Sequence, residues 1–386
     1  MLARSTETVG TWTVEMRVLH LLSSSAFHGA ETMVAELVRE SAGLGASVDV
    51  IAFENQGRGD LQILDAVKGS AAVALSMPSG SRFDWRLVAN IADHVRKERV
   101  DVIHCHGYKT TIHALFVCRL VRARLVTTYH NWVSNTPALR VYSAFDRRIA
   151  RFNDLAVGVS AEVASRLRAH MPPSKVRQID NGVDVARFAP RAQGEDLRAS
   201  LGLAGRDVIG FVGRVSSQKG VDKLIRAFAE LQLPNARLVI VGDGQERVKF
   251  ESLARELGVS TGVLFLGERR DTPALYAAFD LLVLPSLLEG FPMTVVEAMS
   301  SGLPVVASSV GEVPRMLGGG AGVVVPPGDV AALRKAVFDL LTDASRRTQI
   351  GTIARTKAQN EYSARQMALT YLKEYTTLCS NISARK

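Results

Sequence analysis

The sequence predicts an α/β protein of two doubly wound domains, and three observations carry that prediction. Apolar runs of five to seven residues alternate with amphipathic stretches long enough for helices along almost the whole chain. That is the strand–helix–strand signature of a parallel sheet. The rhythm breaks at segment 181–207, which is rich in glycine and polar residues, and then restarts. The length of 386 residues suits about two domains.

In the first half, strand-like runs are read at 17–23, 48–53, 73–77, 101–106, 124–130, 154–160 and 176–180. Between them, Glu31–Ser41 and Asp84–Arg99 have helical spacing. In the second half the runs are 208–213, 237–242, 263–267, 281–286, 304–308 and 322–326, and the last ~55 residues read as helix without a strand. Each half opens alike: a strand, a polar loop, a glycine, then a helix ("LLSSSAFHGAETMVAEL" and "FVGRVSSQKGVDKLIRAF"). Ligands of such sheets bind beyond the carboxyl ends of the strands, so two such domains with facing loops make a cleft.

Hydrophobic content of 47% and charged content of 22% are those of a soluble globular protein. Three cysteines without metal-ligand spacing (Cys105, Cys118 and Cys379) read as reduced thiols of a cytoplasmic protein. No apolar run approaches the ~18 residues of a membrane span. Residues 1–16 are polar, lack a signal-peptide core and read as a flexible leader. The net charge of +9 is concentrated: between Arg96 and Arg177 there are 15 Lys+Arg against 5 Asp+Glu, which leaves −1 for the remainder. An anionic partner should therefore meet the first domain. No nucleic-acid signature accompanies the charge, so nucleic acid is excluded as a partner. Within "LRVYSAFDRRIARF" (139–152), Tyr142, Phe145, Ile149 and Phe152 share a helical face while Arg140, Arg147, Arg148 and Arg151 crowd elsewhere. Such a helix packs its apolar side on the sheet and leaves arginines free for an anionic membrane surface.

The candidate chemistry lies in three loops. After the strand at 208–213 come Arg214 and Lys219, a fork and a point charge suited to a diphosphate but lacking Walker spacing. In the first half, Gly29 stands at a helix entrance where a backbone can approach a ligand. "EGFPMTVVE" places Glu289 and Glu297 around Pro292, which suits a helix start, so amides near Met293 and Thr294 can face an anion. Carboxylates accept hydrogen bonds from hydroxyls. A nucleotide sugar satisfies both sets: cations for its diphosphate, carboxylates for its ribose and hexose. His104 and His106 alternate on one strand with no distant partner, which reads as structural, and no metal is expected.

"EGFPMTVVEAMSSGLPVVAS" resembles the E-x7-E signature of retaining glycosyltransferases of family 4, which have the GT-B fold. "HGAE", "DVIHCHG", "TTYHN", "NGVD", "FVGRVSSQKGVDKLIRAF", "VGDGQER" and "VLFLGERRD" fall in that family's order, from about residue 17 to 360. One departure is His28, where the family's loop has its first glycine. The resemblance implies two Rossmann-like domains facing a central cleft: an acceptor-binding domain over 17–182 and a nucleotide-sugar domain over 183–362. A C-terminal helix at 363–380 would pack back on the first. It further implies that Arg214 and Lys219, helped by the Gly29 amide, neutralise the donor diphosphate. Glu297 would hold the ribose and Glu289 the transferred sugar, with Gly290, Phe291 and Pro292 shaping the turn. His130 would face the reacting end of the sugar, and either Arg269 or Arg270 would lie at the base.

The expected activity is metal-independent, retaining transfer of a hexose-type sugar, with UDP the expected carrier and no cofactor. The acceptor would be a hydroxyl of a glycan or lipid-linked molecule, in assembly of a surface polysaccharide such as lipopolysaccharide or exopolysaccharide. The place would be the cytoplasm, with peripheral attachment to the inner face of the plasma membrane. Two rivals are a nucleotide-sugar 2-epimerase of similar architecture and a noncatalytic partner retaining the fold.

Overall fold

A computed structural model describes residues 16–23, 29–55, 62–80, 83–130, 149–190 and 193–383. The leader, His28 and most of segment 139–152 lie outside them. The chain divides into two units.

The first unit holds β1 (Arg17–Leu22), β2 (Ser47–Asn55), β3 (Val73–Ser79), β4 (Val102–His106), β5 (Arg124–Tyr129), β6 (Leu155–Gly158) and β7 (Val176–Gln178), in the spatial order β3-β2-β1-β4-β5-β6-β7. β1 pairs parallel with β2 on one side and β4 on the other, with His20 opposite His104. β1, β4, β5 and β6 are almost wholly buried. A parallel sheet covered on both faces excludes water from both sides, which is why these strands read as continuous apolar runs.

The pleat sorts the side chains. Leu19, Leu21, Ile103 and Cys105 meet the apolar stripes of helices Trp85–Glu98 and Tyr108–Leu120. Helix Trp85–Glu98 has caps at both ends. Asp84 accepts from the amides of Arg86 at 2.9 Å and Leu87 at 3.4 Å, and Arg99 closes it in the left-handed region at φ 54°.

The second unit holds β8 (Asp207–Val212), β9 (Ala236–Val241), β10 (Val263–Gly267), β11 (Leu281–Leu284), β12 (Val305–Ser308) and β13 (Val323–Val325), in the order β10-β9-β8-β11-β12-β13. The recorded pairs are all parallel. Helix Val221–Ala229 buries Val221, Leu224, Ile225 and Phe228, the spacing of one helical face. The strand-free end of the chain forms helices Val330–Thr342, Ala344–Glu361 and Ala364–Ser383.

The expected boundary at 182/183 needs correction. The first unit runs to Val157 and takes back Leu167–Arg177 and everything from Ala368. The second comprises Gly158–Arg166 and Gln178–Met367. Tertiary hydrogen bonds cause the shift. The Ala161 amide donates to Glu312 Oε1 at 2.5 Å, and the Ile179 amide to the Gly158 carbonyl at 3.2 Å, so both stretches join the second unit. Tyr371 and Tyr375 of the last helix hydrogen-bond Thr128 at 2.9 Å and His104 at 2.6 Å in the first sheet.

Candidate active site

In each sheet the strand order reverses direction beside the first strand of the unit, between β1 and β4 and between β8 and β11. Loops at such a switch point diverge and leave room for a ligand. In the second unit these are the loops following β8 and β11, which carry Arg214 and Lys219 and Glu289 respectively.

The β8 loop ends in a short 3-10 turn, Ser217–Lys219, and then Gly220 at φ +71°. A Cβ on Gly220 would stand 2.0 Å from the Pro285 carbonyl oxygen, so only glycine lets the two loops approach this closely. A backbone bond from Leu287 N to Gln218 O at 2.8 Å ties them further. That approach sets Lys219 Nζ 2.6 Å from Glu289 Oε1, and Ser286 Oγ donates to the same oxygen at 2.7 Å. The carboxylate side chain is only 8% exposed and the lysine 26%. A charge-assisted pair of this burial is a geometric constraint more than a source of stability. Arg214, on the same loop as Lys219, is exposed.

Glu289 and Gly290 are themselves held from behind. Gly311 lies against their carbonyls, where a Cβ would come within 2.4 Å of the Glu289 oxygen, and the Glu312 amide donates to Gly290 O at 3.0 Å. Phe291 is buried edge-on to Tyr362. Pro292 is the N-cap rather than part of the first turn, with ψ 108°, and helix Met293–Ser300 begins one residue later than the sequence suggests. Met293 and Thr294 are its first two residues, at the end that carries unpaired helix amides and the positive dipole. Glu297, one turn in, is half-buried, and desolvation raises its pKa. The buried Tyr276 hydroxyl donates to its Oε2 at 2.7 Å. Arg269 is taken up by both oxygens of Asp271, whereas Arg270 is exposed.

In the first unit, Gly29 opens helix Gly29–Gly43 directly after the undescribed residues 24–28. His130 follows β5; burial lowers its pKa to about 4, so the ring is neutral at physiological pH. His20, His104 and His106 lie together on the sheet face opposite the apolar helices, with ligand-type nitrogens within 4.8 Å of one another. Four of their six ring nitrogens are hydrogen-bonded, while His20 Nε2 and His106 Nδ1 are buried without a partner among the described residues. His20 Nδ1 and His106 Nε2 are hydrogen-bonded at 3.0 Å, and His104 spends its two nitrogens on Thr128 and Tyr375. The three rings form a partly hydrogen-bonded imidazole layer, kept neutral by burial. Of the basic segment, Ile149 is buried while Phe152 is 53% exposed beneath the Arg151 guanidinium. Phe152 thus does not pack on the sheet; Arg140, Tyr142, Phe145, Arg147 and Arg148 lie outside the described residues.

Sequence reasoning missed Ser286, Tyr276, Ser217 and Glu246. Ser286 and Tyr276 hydrogen-bond residues it found, Ser217 and Glu246 bond each other, and none falls at a spacing that marks it. Glu246, in "VGDGQER", accepts from both the amide and the hydroxyl of Ser217 at 2.6 Å.

Comparison with known proteins agrees with this geometry. Residues 27–187 match the family model described as Glycosyltransferase Family 4, and residues 193–357 match Glycosyl transferases group 1. The chain is similar to a D-inositol 3-phosphate glycosyltransferase of Salinispora tropica, at 30% identity over 91% of this chain and 82% of that one. It is also similar to the lipopolysaccharide core biosynthesis mannosyltransferase LpcC of Rhizobium leguminosarum, at 31% identity over 68% of this chain and 74% of that one. In fold it resembles Anabaena HepE, crystallised with UDP (TM-score 0.82, 23% identity, 94% of this chain and 100% of that one). The lipopolysaccharide-biosynthesis glycosyltransferase WaaG is similar too (TM-score 0.68, 20% identity, 92% and 98%). The two parallel-sheet units are those of a GT-B fold, and the chain belongs to glycosyltransferase family 4.

Proposed function

We propose that this glycosyltransferase moves a hexose-type sugar, with retention and without a metal ion, from a nucleoside diphosphate carrier to an acceptor hydroxyl. The observation that carries the reading is the Lys219–Glu289 pair at the switch point of the second sheet, with Arg214 exposed on the same loop. Departure of the diphosphate breaks the anomeric C–O bond, leaving positive charge on the sugar and negative charge on phosphate. A guanidinium and an ammonium already in place stabilise that charge without a cost of reorganisation at the moment of reaction. Glu289 has its Oε1 occupied by Lys219 and Ser286, which leaves Oε2 for sugar hydroxyls. Glu297, oriented by Tyr276, takes the ribose. The acceptor oxygen bonds to the anomeric carbon, and its proton passes to a phosphate oxygen of the leaving group.

UDP is the proposed carrier, supported by neighbours of the same fold crystallised with UDP or UDP-glucose. A glycan or lipid-linked acceptor of surface polysaccharide assembly is proposed from relatives that act in lipopolysaccharide synthesis. The basic first unit suits an anionic membrane surface, which leaves cytoplasmic peripheral attachment as part of the proposal. Among the described residues no helix is long and apolar enough to cross a membrane. The test is acceptor-dependent release of UDP from a panel of UDP-sugars, with Glu289→Ala beside the parent. Transfer that depends on Glu289 is expected. Unchanged turnover in the variant, or sugar conversion that needs no acceptor, rejects the assignment.

A further inference from the structure

Glu246 is the residue before helix Arg247–Glu256, where a short polar side chain would cap the helix, yet it makes no capping bond. Both its oxygens reach the β8 loop. Oε2 accepts the Ser217 amide at 2.6 Å, and Oε1 accepts the Ser217 hydroxyl at 2.6 Å and Lys249 Nζ at 3.0 Å. These bonds hold the carboxylate well below the usual range, at about 2, with the Ser217 hydroxyl the largest cause and its amide the next, so it stays ionised at any working pH.

Ser217 is the first residue of the 3-10 turn whose last residue is Lys219. The same two loops also touch through backbone. Val215 N donates to Asp243 O at 2.9 Å, and a Cβ on Gly244 would lie 2.2 Å from Val215 O. The turn is therefore gripped on one side by Glu246 and on the other by the Gly220–Pro285 approach, with the lysine between.

We propose that Glu246, acting through Ser217, is a positioning residue for the diphosphate site: it fixes the turn that presents Lys219. The inference rests on the reading of Lys219 as a phosphate ligand. A flexible lysine on a loosened turn would still find a phosphate, but would lose freedom in doing so, and the cost falls on binding. Glu246→Gln replaces one acceptor oxygen with an amide that cannot accept the Ser217 proton. Ser217→Ala removes the hydroxyl's bond to Glu246 and a longer one, at 3.4 Å, from Lys249 Nζ, whereas Ser217→Thr keeps the hydroxyl.

The test uses UDP binding by calorimetry, with GDP alongside, together with separate donor and acceptor KM values. Glu246→Gln is expected to weaken UDP binding and raise donor KM about tenfold, with acceptor KM and melting temperature near those of the parent. Ser217→Ala should lie between, and Ser217→Thr should match the parent. In a Lys219→Ala background the same Glu246→Gln change should alter UDP affinity less than about twofold, because nothing is left to position. UDP affinity within about twofold of the parent in both Glu246→Gln and Ser217→Ala overturns the proposal. So does an undiminished tenfold loss in the Lys219→Ala background. A parent protein that binds neither nucleotide sinks the underlying reading as well, whereas normal parental binding with an indifferent Glu246 sinks this inference alone.

Discussion

Glu289 Oε1 receives Lys219 and Ser286 together, so removal of the cation and removal of the hydroxyl are unequal injuries. Lys219→Ala takes away a phosphate ligand and strands a nearly buried carboxylate. Turnover should fall about 10²–10³-fold, and stability by about 1–3 kcal/mol, discounted because the lysine is partly exposed. A kcat measurement and a chemical denaturation curve check the two parts. Tyr276→Phe is milder: it leaves Glu297 Oε2 without its donor, and donor KM should rise by up to about tenfold with kcat nearly unchanged. A fall in kcat with constant KM would place Glu297 in the reacting region instead. At this scale the sequence showed the residue types but not their partnerships. Lys219 and Glu289 stand 70 positions apart and read as ligands for different parts of a substrate, so their mutual bond had no local signature. Glu246 was hidden for the same reason, since an acid beside a glycine-rich loop is ordinarily solvated.

The strands were legible because both faces of each sheet are covered, so burial is written along the chain as uninterrupted apolar runs. All 13 described strands fall within or beside runs read from sequence. Helix Trp85–Glu98 was legible to within one residue at each end, where the structure places its caps, Asp84 and Arg99. The Pro292 turn was placed one residue early because proline's fixed φ suits both N1 and the preceding cap. The element with the least tolerance is the Gly220 corner. Alanine there meets the left-handed penalty of about 1–2 kcal/mol and drives a methyl into the Pro285 carbonyl. Gly220→Ala should lower the melting temperature and abolish most donor binding, whereas Gly205→Ala, also at positive φ but in open space, should cost only the strain. Paired thermal melts and UDP titrations of the two variants separate strain from collision.

The whole molecule has an acid-sensitive half. His20, His104 and His106 are buried and His130 is half-buried, and all four have lowered pKa values, about 3 for His20 and about 4 for His130, chiefly for want of solvation. On unfolding they regain ordinary values near 6.5 and bind protons. Stability should therefore be complete at neutral pH, decline once pH drops below about 6.5, and keep declining towards the folded values. The slope reaches at most about 1.4 kcal/mol per pH unit for each ring. A melting temperature that is flat or rises between pH 7 and pH 5 would contradict this. At this scale the two-domain plan could be read from the break in rhythm, but the exchange of Gly158–Arg166 could not. It depends on Glu312 reaching Ala161, 151 residues away, and composition has no term for that. The cysteines add a practical corollary. All three belong to the first unit, and Cys105 is wholly enclosed beneath its sheet. With Cys118 and Cys379 changed to serine, maleimide labelling of the remaining thiol becomes a clock that ticks only when that half opens, blind to whatever its cysteine-free neighbour does.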